Sequence, residues 1–365
     1  MKLGIVTSNR ADYSILRPLI KKLKKIKKFK TQLIVTGSHF SKKHGYTVKE
    51  ILNDKVNIKN KIYTNLDNLH KTFSDTFIKF HNYLKKSKIR YLILLGDRYE
   101  ILSIALSSFF LKIPIIHLYG GETTSGSIDN ISRDLISKVS NIHLISNIKY
   151  KKKLLLLGVK KENIYSVGSL AIDNILHFKN KKSNLLEKKL IKNKNYKKNI
   201  LVTFHPATLE KINYENQIKS LLKVLKKFKE IGIVFTSTNI DPGSNKISKL
   251  IKGFISKNKN SIMIKSLGGE DYYSLIRKVD CVVGNSSSGI MEAPFLRTPT
   301  INIGNRQKGR LMSKSIINTN YNYSSIYSAL KTILYKKKYL KYDFLYGKGG
   351  STKKILNILN KLKHV

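Results

Sequence analysis

The feature that most constrains this chain is an alternation. Short apolar runs of strand length recur, separated by longer stretches with the amphipathic spacing of helices. In the first half the strand-like runs are residues 3–7, 32–36, 91–95, 115–118, 142–145 and 164–167. Helical spacing fills the intervals, for example over 14–27 and 99–111. Strand and helix in alternation predict βαβ units and a parallel sheet. Strands that are apolar almost without interruption predict a sheet buried on both faces.

The pattern then breaks and restarts. Residues 179–198 are polar and rich in Lys and Asn, which reads as a linker. Beyond it, strand-like runs return at 200–204, 232–236, 261–264, 281–283 and 300–303. A chain of 365 residues suits two domains better than one core. The expected fold class is therefore α/β, with two Rossmann-like, doubly wound domains and a cleft between them. The boundaries are 1–178 for the first domain, 179–198 for the linker, 199–345 for the second domain and 346–365 for a terminal segment with a helix near 353–363. In open α/β sheets, ligands bind at the carboxyl ends of the strands.

Charge narrows the function less than it first suggests. Lys and Arg number 70 against 22 Asp and Glu, a formal net charge of +48 with a pI near 10.1. Such a balance raises nucleic acid or an anionic membrane as partners. The lysines, however, are scattered over the whole chain, arginine is scarce, and no aromatic-interleaved RNA motif occurs. The reading is a solvated basic surface, with neither a nucleic-acid nor a membrane partner. The apolar stretch 101–119 is broken by Lys112 and Pro114, so it is expected to be a core helix and strand and not a span of lipid. A single cysteine, Cys281, excludes a disulfide framework and a Cys-rich zinc site. No leader sequence is read at the N-terminus, and a cytoplasmic enzyme is expected.

Several strand ends carry chemistry-bearing residues. The first strand runs into Ser8-Asn-Arg10-Ala-Asp12-Tyr13, where Arg10 and free helix N–H groups suit a phosphate. The strand at 91–95 ends in Gly96-Asp97-Arg98, where Asp97 is either a catalytic acid or a helix cap. Next comes His117-Leu-Tyr119-Gly-Gly-Glu122, followed by Asp129 and Arg133. Asp97, Glu122 and Asp129 are three carboxylates that could share one cleft, as proton transfer at carbon requires. One of them could instead cap the helix that starts near Ile128. In the second domain, His205-Pro206 follows a strand, and His205 could donate a proton or bind phosphate. Finally Gly284-Asn-Ser286-Ser287-Ser-Gly289 leads into a helix bearing Glu292. Glycine allows close approach, the hydroxyls donate, the helix N-terminus favours an anion, and Glu292 could accept from a ribose diol. It is neither a Walker loop nor a GxGxxG fingerprint.

Taken in order, these segments, with Leu33-Ile-Val-Thr-Gly37, His39 and Gly304-Asn-Arg-Gln-Lys-Gly-Arg310, resemble the UDP-N-acetylglucosamine 2-epimerase family in its hydrolysing branch, over about residues 2–320. The resemblance implies a GT-B arrangement with the active site between the domains. It implies UDP held by Ser286, Ser287 and Glu292, with Arg10 reaching across. It further implies acid/base roles for Asp97 and Asp129, a phosphate-side His205, a nearby Arg133, a supporting loop at 304–310, and no metal or cofactor. The implied reaction is elimination of UDP from UDP-N-acetylglucosamine and hydration to N-acetylmannosamine. The alternatives are the same reaction on a UDP-2,4-diacetamido sugar or GDP-sugar, or a non-hydrolysing 2-epimerase. Some members carry Glu where Tyr119 stands and His where Asp134 stands, which leaves Glu122 or Tyr119 to supply the base. A homo-oligomer is expected.

Overall fold

The computed structural model describes residues 1–362 except 43–44, 179–195, 211, 239–242, 265–266 and 337–339. The inferred linker at 179–198 therefore lies mostly outside the described residues. The chain forms two compact units. One comprises Met1–Glu122, Asp129–Leu176 and Tyr346–Val365, the other Thr123–Ile128 and His177–Leu345. Each is a parallel sheet flanked by helices.

The first unit holds β1 (Lys2–Thr7), β2 (Lys30–Thr36), β3 (Asn60–Ile62), β4 (Tyr91–Leu95), β5 (Ile115–Leu118), β6 (Ile142–Ile145) and β7 (Ile164–Ser166). Their order is β3-β2-β1-β4-β5-β6-β7, and every pairing is parallel. Side chains of one strand feed opposite faces. Leu3 and Ile5 of β1 join one core with Leu16, Leu19 and Leu23 of the helix Arg10–Leu23, whereas Val6 joins the other with Phe80 and Ile104. That two-sided burial is what the uninterrupted apolar runs require. The terminal helix Ser351–Lys361 returns to this unit, placing Ile355 and Leu359 in the first core.

The second unit holds β8 (Lys198–Thr203), β9 (Ile231–Thr236), β10 (Ser261–Ile264), β11 (Cys281–Gly284), β12 (Thr300–Ile303) and β13 (Ile316–Thr319), ordered β10-β9-β8-β11-β12-β13 and again parallel. Gly284 has φ +133°, and a Cβ there would lie 1.9 Å from the carbonyl oxygen of Thr203. Only glycine lets β11 end so close to β8.

Both sheets reverse their winding at one place, between β1 and β4 in the first unit and between β8 and β11 in the second. Such switch points open a crevice at the strand carboxyl ends. Two elements were not expected from sequence, β3 and β13. Several boundaries also shift. The first helix starts at Arg10 and not at residue 14, so Arg10 is its first residue and not part of the preceding loop. The strand before His205 ends at Thr203. Among the described residues no helix is long and apolar enough to cross a membrane.

Candidate active site

The four strands at the two switch points each deliver expected site residues. Arg10 follows β1, Asp97 follows β4, His205 follows β8 and Ser286 follows β11.

In the first unit the loop after β1 is built by local hydrogen bonds. Asn9 caps the helix, its side chain accepting from the backbone N–H of Asp12 at 3.0 Å. Asp12 in turn accepts from the Ser8 hydroxyl and the Asn9 amide, both at 2.7 Å. Burial pushes the Asp12 carboxyl up to about 6, against the opposing Ser8 bond. This network fixes the loop on which half-buried Arg10 starts the helix.

Arg133 organises the other half of that unit. It is a cation only 1% exposed, and an unpaired buried charge is prohibitively costly. Its guanidinium donates to the Asp97 carboxylate and, at 2.8 Å, to the backbone carbonyl of Glu122. Asp129 opens the helix Asp129–Lys138 and stands four residues before Arg133, one turn away on the same face. Arg133 thus contacts Asp97 and the backbone of Glu122, and Asp129 shares its helix face. The Glu122 carboxylate is buried and accepts from the Ser146 hydroxyl at 2.5 Å. As an acid in a helix first turn, Asp129 also suits the dipole there.

The Gly96-Asp97 turn is pinned from behind. His117 of β5 is fully buried, with Nε2 2.8 Å from the Gly96 carbonyl and Nδ1 3.1 Å from the Ser137 hydroxyl. A carbonyl only accepts, so Nε2 carries the proton and Nδ1 accepts from Ser137. Burial lowers its pKa to about 3, and the ring is neutral at physiological pH. Sequence reading quoted His117 without a role, and a lone histidine on a strand carries no signal that would have assigned one.

Tyr119 has φ +69°, an uncommon left-handed conformation for a bulky residue. Its hydroxyl accepts from the backbone N–H of Leu170 at 2.7 Å and pairs with the Ser169 hydroxyl at 3.1 Å. That hydroxyl is held within the first unit's own packing.

In the second unit the organising residue is Asn285, which sequence reading passed over. It is fully buried. Its side chain brackets His205, accepting from the His205 N–H at 2.7 Å and donating to the His205 carbonyl at 2.8 Å. Its own carbonyl accepts from Arg306 at 3.2 Å and Gln307 at 2.9 Å. The 304–310 loop is thereby tied to the Gly/Ser loop. Ser286 caps the helix Ser287–Phe295. Ser286 and Ser287 are half-buried at its N-terminus, where N–H groups and the dipole attract an anion. Glu292 sits within the same helix. It is 7% exposed, and its Oε2 has no hydrogen bond among the described residues. Burial pushes its pKa up to about 7, although its own backbone N–H and the charge of Arg310 pull the other way. Among the described residues there is no cluster of three metal-ligating side chains.

Comparison with known proteins gives a consistent set. A family described as UDP-N-acetylglucosamine 2-epimerase matches residues 21–360. The chain is 40% identical to the GDP/UDP-N,N'-diacetylbacillosamine 2-epimerase (hydrolyzing) of Campylobacter jejuni, over 88% of this chain and 85% of that protein. It is 30% identical to the UDP-N,N'-diacetylbacillosamine 2-epimerase (hydrolyzing) of Legionella pneumophila, over 98% of this chain and 95% of that one. Its fold is similar to that of the UDP-GlcNAc 2-epimerase from Neisseria meningitidis bound to UDP-GlcNAc, with a TM-score of 0.87, 19% identity, and coverage of 99% and 100% of the two chains.

Proposed function

This chain belongs to the UDP-N-acetylglucosamine 2-epimerase family, in its hydrolysing branch, and we propose that it cleaves a UDP-2,4-diacetamido sugar to UDP and the free sugar inverted at C2. It is an enzyme acting on a nucleotide sugar. Sequence alone put UDP-N-acetylglucosamine first. Identities of 40% and 30% to two proteins named for the diacetamido substrate favour that sugar instead.

In the proposed reaction a base removes the C2 proton, the C2–H electrons form a C1=C2 double bond, and the C1–O bond to UDP breaks. Water then adds its oxygen to C1, and C2 takes a proton on the opposite face. This needs a base, an acid, and charge stabilisation for the departing diphosphate. We assign the acid/base work to Asp97, Asp129 and Glu122. The observation that carries this is the buried Arg133, which ties the Asp97 carboxylate to the Glu122 backbone while sharing its helix face with Asp129. Both groups left to replace the family glutamate are engaged, the Tyr119 hydroxyl by Leu170 and Ser169 and the Glu122 carboxylate by Ser146, and we favour Glu122 because a carboxylate, unlike a phenol, is an ordinary base at neutral pH. In the second unit, Ser286, Ser287 and Glu292 would hold the nucleotide and His205 its phosphate side. In the first unit Arg10, first residue of its helix, is the candidate cation for a phosphate.

The test is incubation in D2O with UDP-2,4-diacetamido sugar or with UDP-N-acetylglucosamine, without any acceptor, followed by NMR. Free UDP and a C2-deuterated, C2-inverted sugar should form fastest from the diacetamido substrate. Faster release from UDP-N-acetylglucosamine would reverse the substrate assignment. Epimerised nucleotide sugar without UDP release would refute hydrolysis by this chain.

A further inference from the structure

The stretch of chain between two of the proposed acid/base residues is built into the second unit. Thr123–Ile128 group with that unit, while Glu122 before them and Asp129 after them belong to the first. The segment is therefore flanked on both sides by a carboxylate assigned to the chemistry.

Backbone groups hold the segment in place. Ser125 N–H donates to the Lys308 carbonyl at 3.0 Å, and the Gly126 carbonyl accepts from Leu209 N–H at 3.3 Å. The N–H of Ile128, next to Asp129, donates to the Thr208 hydroxyl at 3.2 Å. Thr208 and Leu209 lie just past His205, and Lys308 lies in the loop after β12. Thr124, Gly126 and Ser127 are buried although they belong to no helix or strand.

The fit is closest at Gly126. A Cβ there would lie 2.7 Å from the Arg306 Cα, and 2.9 Å from the Arg306 nitrogen and the Asn305 carbonyl carbon. All three are backbone atoms, so no side-chain rotation relieves the clash. Carbon atoms in contact stand about 3.5–4.0 Å apart, so a single methyl group would force the two backbones apart by most of an ångström. Gly126 is not among the glycines with positive φ. Glycine is needed here for space and not for backbone conformation. Gly309 meets Thr123 in a similar way, since a Cβ there would lie 2.6 Å from Thr123 Cγ2. Together the two glycines let the segment and the 304–310 loop close on each other.

That loop is fixed in turn to the reactive residues of its own unit. Arg306 and Gln307 donate to the Asn285 carbonyl, and the Asn285 side chain brackets His205. A continuous run of contacts leads from His205 through Asn285 and Arg306 to Gly126, and from there along the chain to Glu122 and Asp129. We propose that 123–128 is a tether through which the 304–310 loop sets the placement of Glu122 and Asp129, with Gly126 as the positioning residue on which it depends. This rests on the acid/base roles given above to Glu122 and Asp129, and not on which nucleotide sugar is the substrate.

The experiment compares Gly126→Ala with Gly253→Ala, a control glycine of the helix Ser244–Lys257 whose Cβ would meet nothing within 4 Å. Turnover is measured on UDP-2,4-diacetamido sugar and on UDP-N-acetylglucosamine, and UDP affinity by calorimetry. A misplacement near 1 Å can cost about a hundredfold in rate. Gly126→Ala should therefore lower kcat about ten- to a hundredfold on whichever sugar the wild type cleaves faster, with KM and UDP affinity kept within about threefold. Gly253→Ala should match wild type. Thr208→Val removes only the acceptor for the Ile128 N–H and should lower kcat about three- to tenfold, the scale of one hydrogen bond. It decides the matter if circular dichroism shows Gly126→Ala to be unfolded. Joining Gly126→Ala to Asp129→Asn should cost less than the product of the two separate losses, because both act through one carboxylate. Wild-type kcat in a folded Gly126→Ala variant, or in Thr208→Val if that variant is unfolded, would overturn the proposal. So would a fall in UDP affinity that matches the fall in turnover, or fully multiplicative losses in the double variant. Normal turnover in Asp129→Asn alone would instead sink the acid/base reading of that residue, whatever Gly126→Ala does, so the two failures are told apart.

Discussion

Arg133 shows how a single buried charge can organise a site. Removing its partner outright would leave an uncompensated cation, at about 3–5 kcal/mol. Asp97→Ala would therefore confuse folding with catalysis, whereas Asp97→Asn keeps an acceptor for the guanidinium. Asp97→Asn and Asp129→Asn are each expected to cut turnover at least roughly a hundredfold, the scale of a lost general acid or base, with UDP affinity kept. Steady-state kinetics beside calorimetry checks this, and near-normal turnover in both would remove these carboxylates from the mechanism. Glu292 gives a second residue-scale expectation through its pKa near 7. A carboxylate accepting ribose hydroxyls must be deprotonated, so UDP should bind more tightly as pH rises from about 6 to 8, with proton release on binding below about 7. Glu292→Gln should weaken UDP binding and flatten this pH dependence, leaving what the phosphate itself contributes. An unchanged pH profile in that variant would place Glu292 away from the nucleotide. Asp97 was visible in sequence because it follows a strand end, and Asp129, Arg133 and Glu292 because they follow the glycine-bearing loops after β5 and β11. Asn285 was not, because its role lies in reciprocal bonds to a residue 80 positions away.

At the level of elements, the strands flanking the two switch points were legible because each is a dense apolar run, whereas their order in the sheet comes from the structure. β3, Asn60–Ile62, has one buried residue in three and pairs only at the sheet edge, so no apolar period marks it. β13 is likewise an edge strand with a single buried residue. The first helix was expected to start late because Asn9, Arg10 and Asp12 read as loop chemistry, when they are its cap and first turn. Inside the sheet, β5 and β6 pair His117 with His143. Burial lowers the pKa of His143 to about 4, against a hydrogen bond to the Ser140 backbone that pulls the other way. Its folded pKa lies below the unfolded value near 6.5. The stability it contributes is therefore present above about 6.5 and is lost as pH falls toward 4. A buried neutral imidazole held by one backbone bond can be replaced by an apolar side chain at modest cost, about 1 kcal/mol. His143→Leu should thus leave the melting temperature near wild type at pH 7.5 and raise it relative to wild type at pH 5. A variant equally destabilised at both pH values would show that the imidazole contributes packing that leucine cannot match.

For the whole molecule, the charge balance sets an expectation independent of any site. Even if every acidic side chain paired with a basic one, 48 cations would remain without an acidic partner. Exposed ion pairs contribute little in any case, about 0–1 kcal/mol each. The dominant long-range term is thus repulsion among like charges spread over the surface, which works against the compact state. Salt screens it. The Debye length shortens from about 30 Å at 0.01 M to about 10 Å at 0.1 M, so distant lysines stop interacting well before close, buried pairs such as Arg133 with Asp97 do. The melting temperature should therefore rise as NaCl increases from about 10 to 300 mM, by more than chloride-independent effects of a neutral osmolyte produce. Over the same range, DNA should bind without sequence preference at low salt and dissociate steeply as counterion release loses its driving force. Turnover of the nucleotide sugar should not change when DNA is added at physiological salt, since the basic residues are distributed and the proposed chemistry is confined to the strand ends. Thermal melts, salt-titrated DNA binding and a turnover assay with and without DNA measure the three quantities. Sequence-selective DNA binding that survives high salt, or a melting temperature that falls as salt is added, would mean that the lysines form a dedicated surface and not a screened coat.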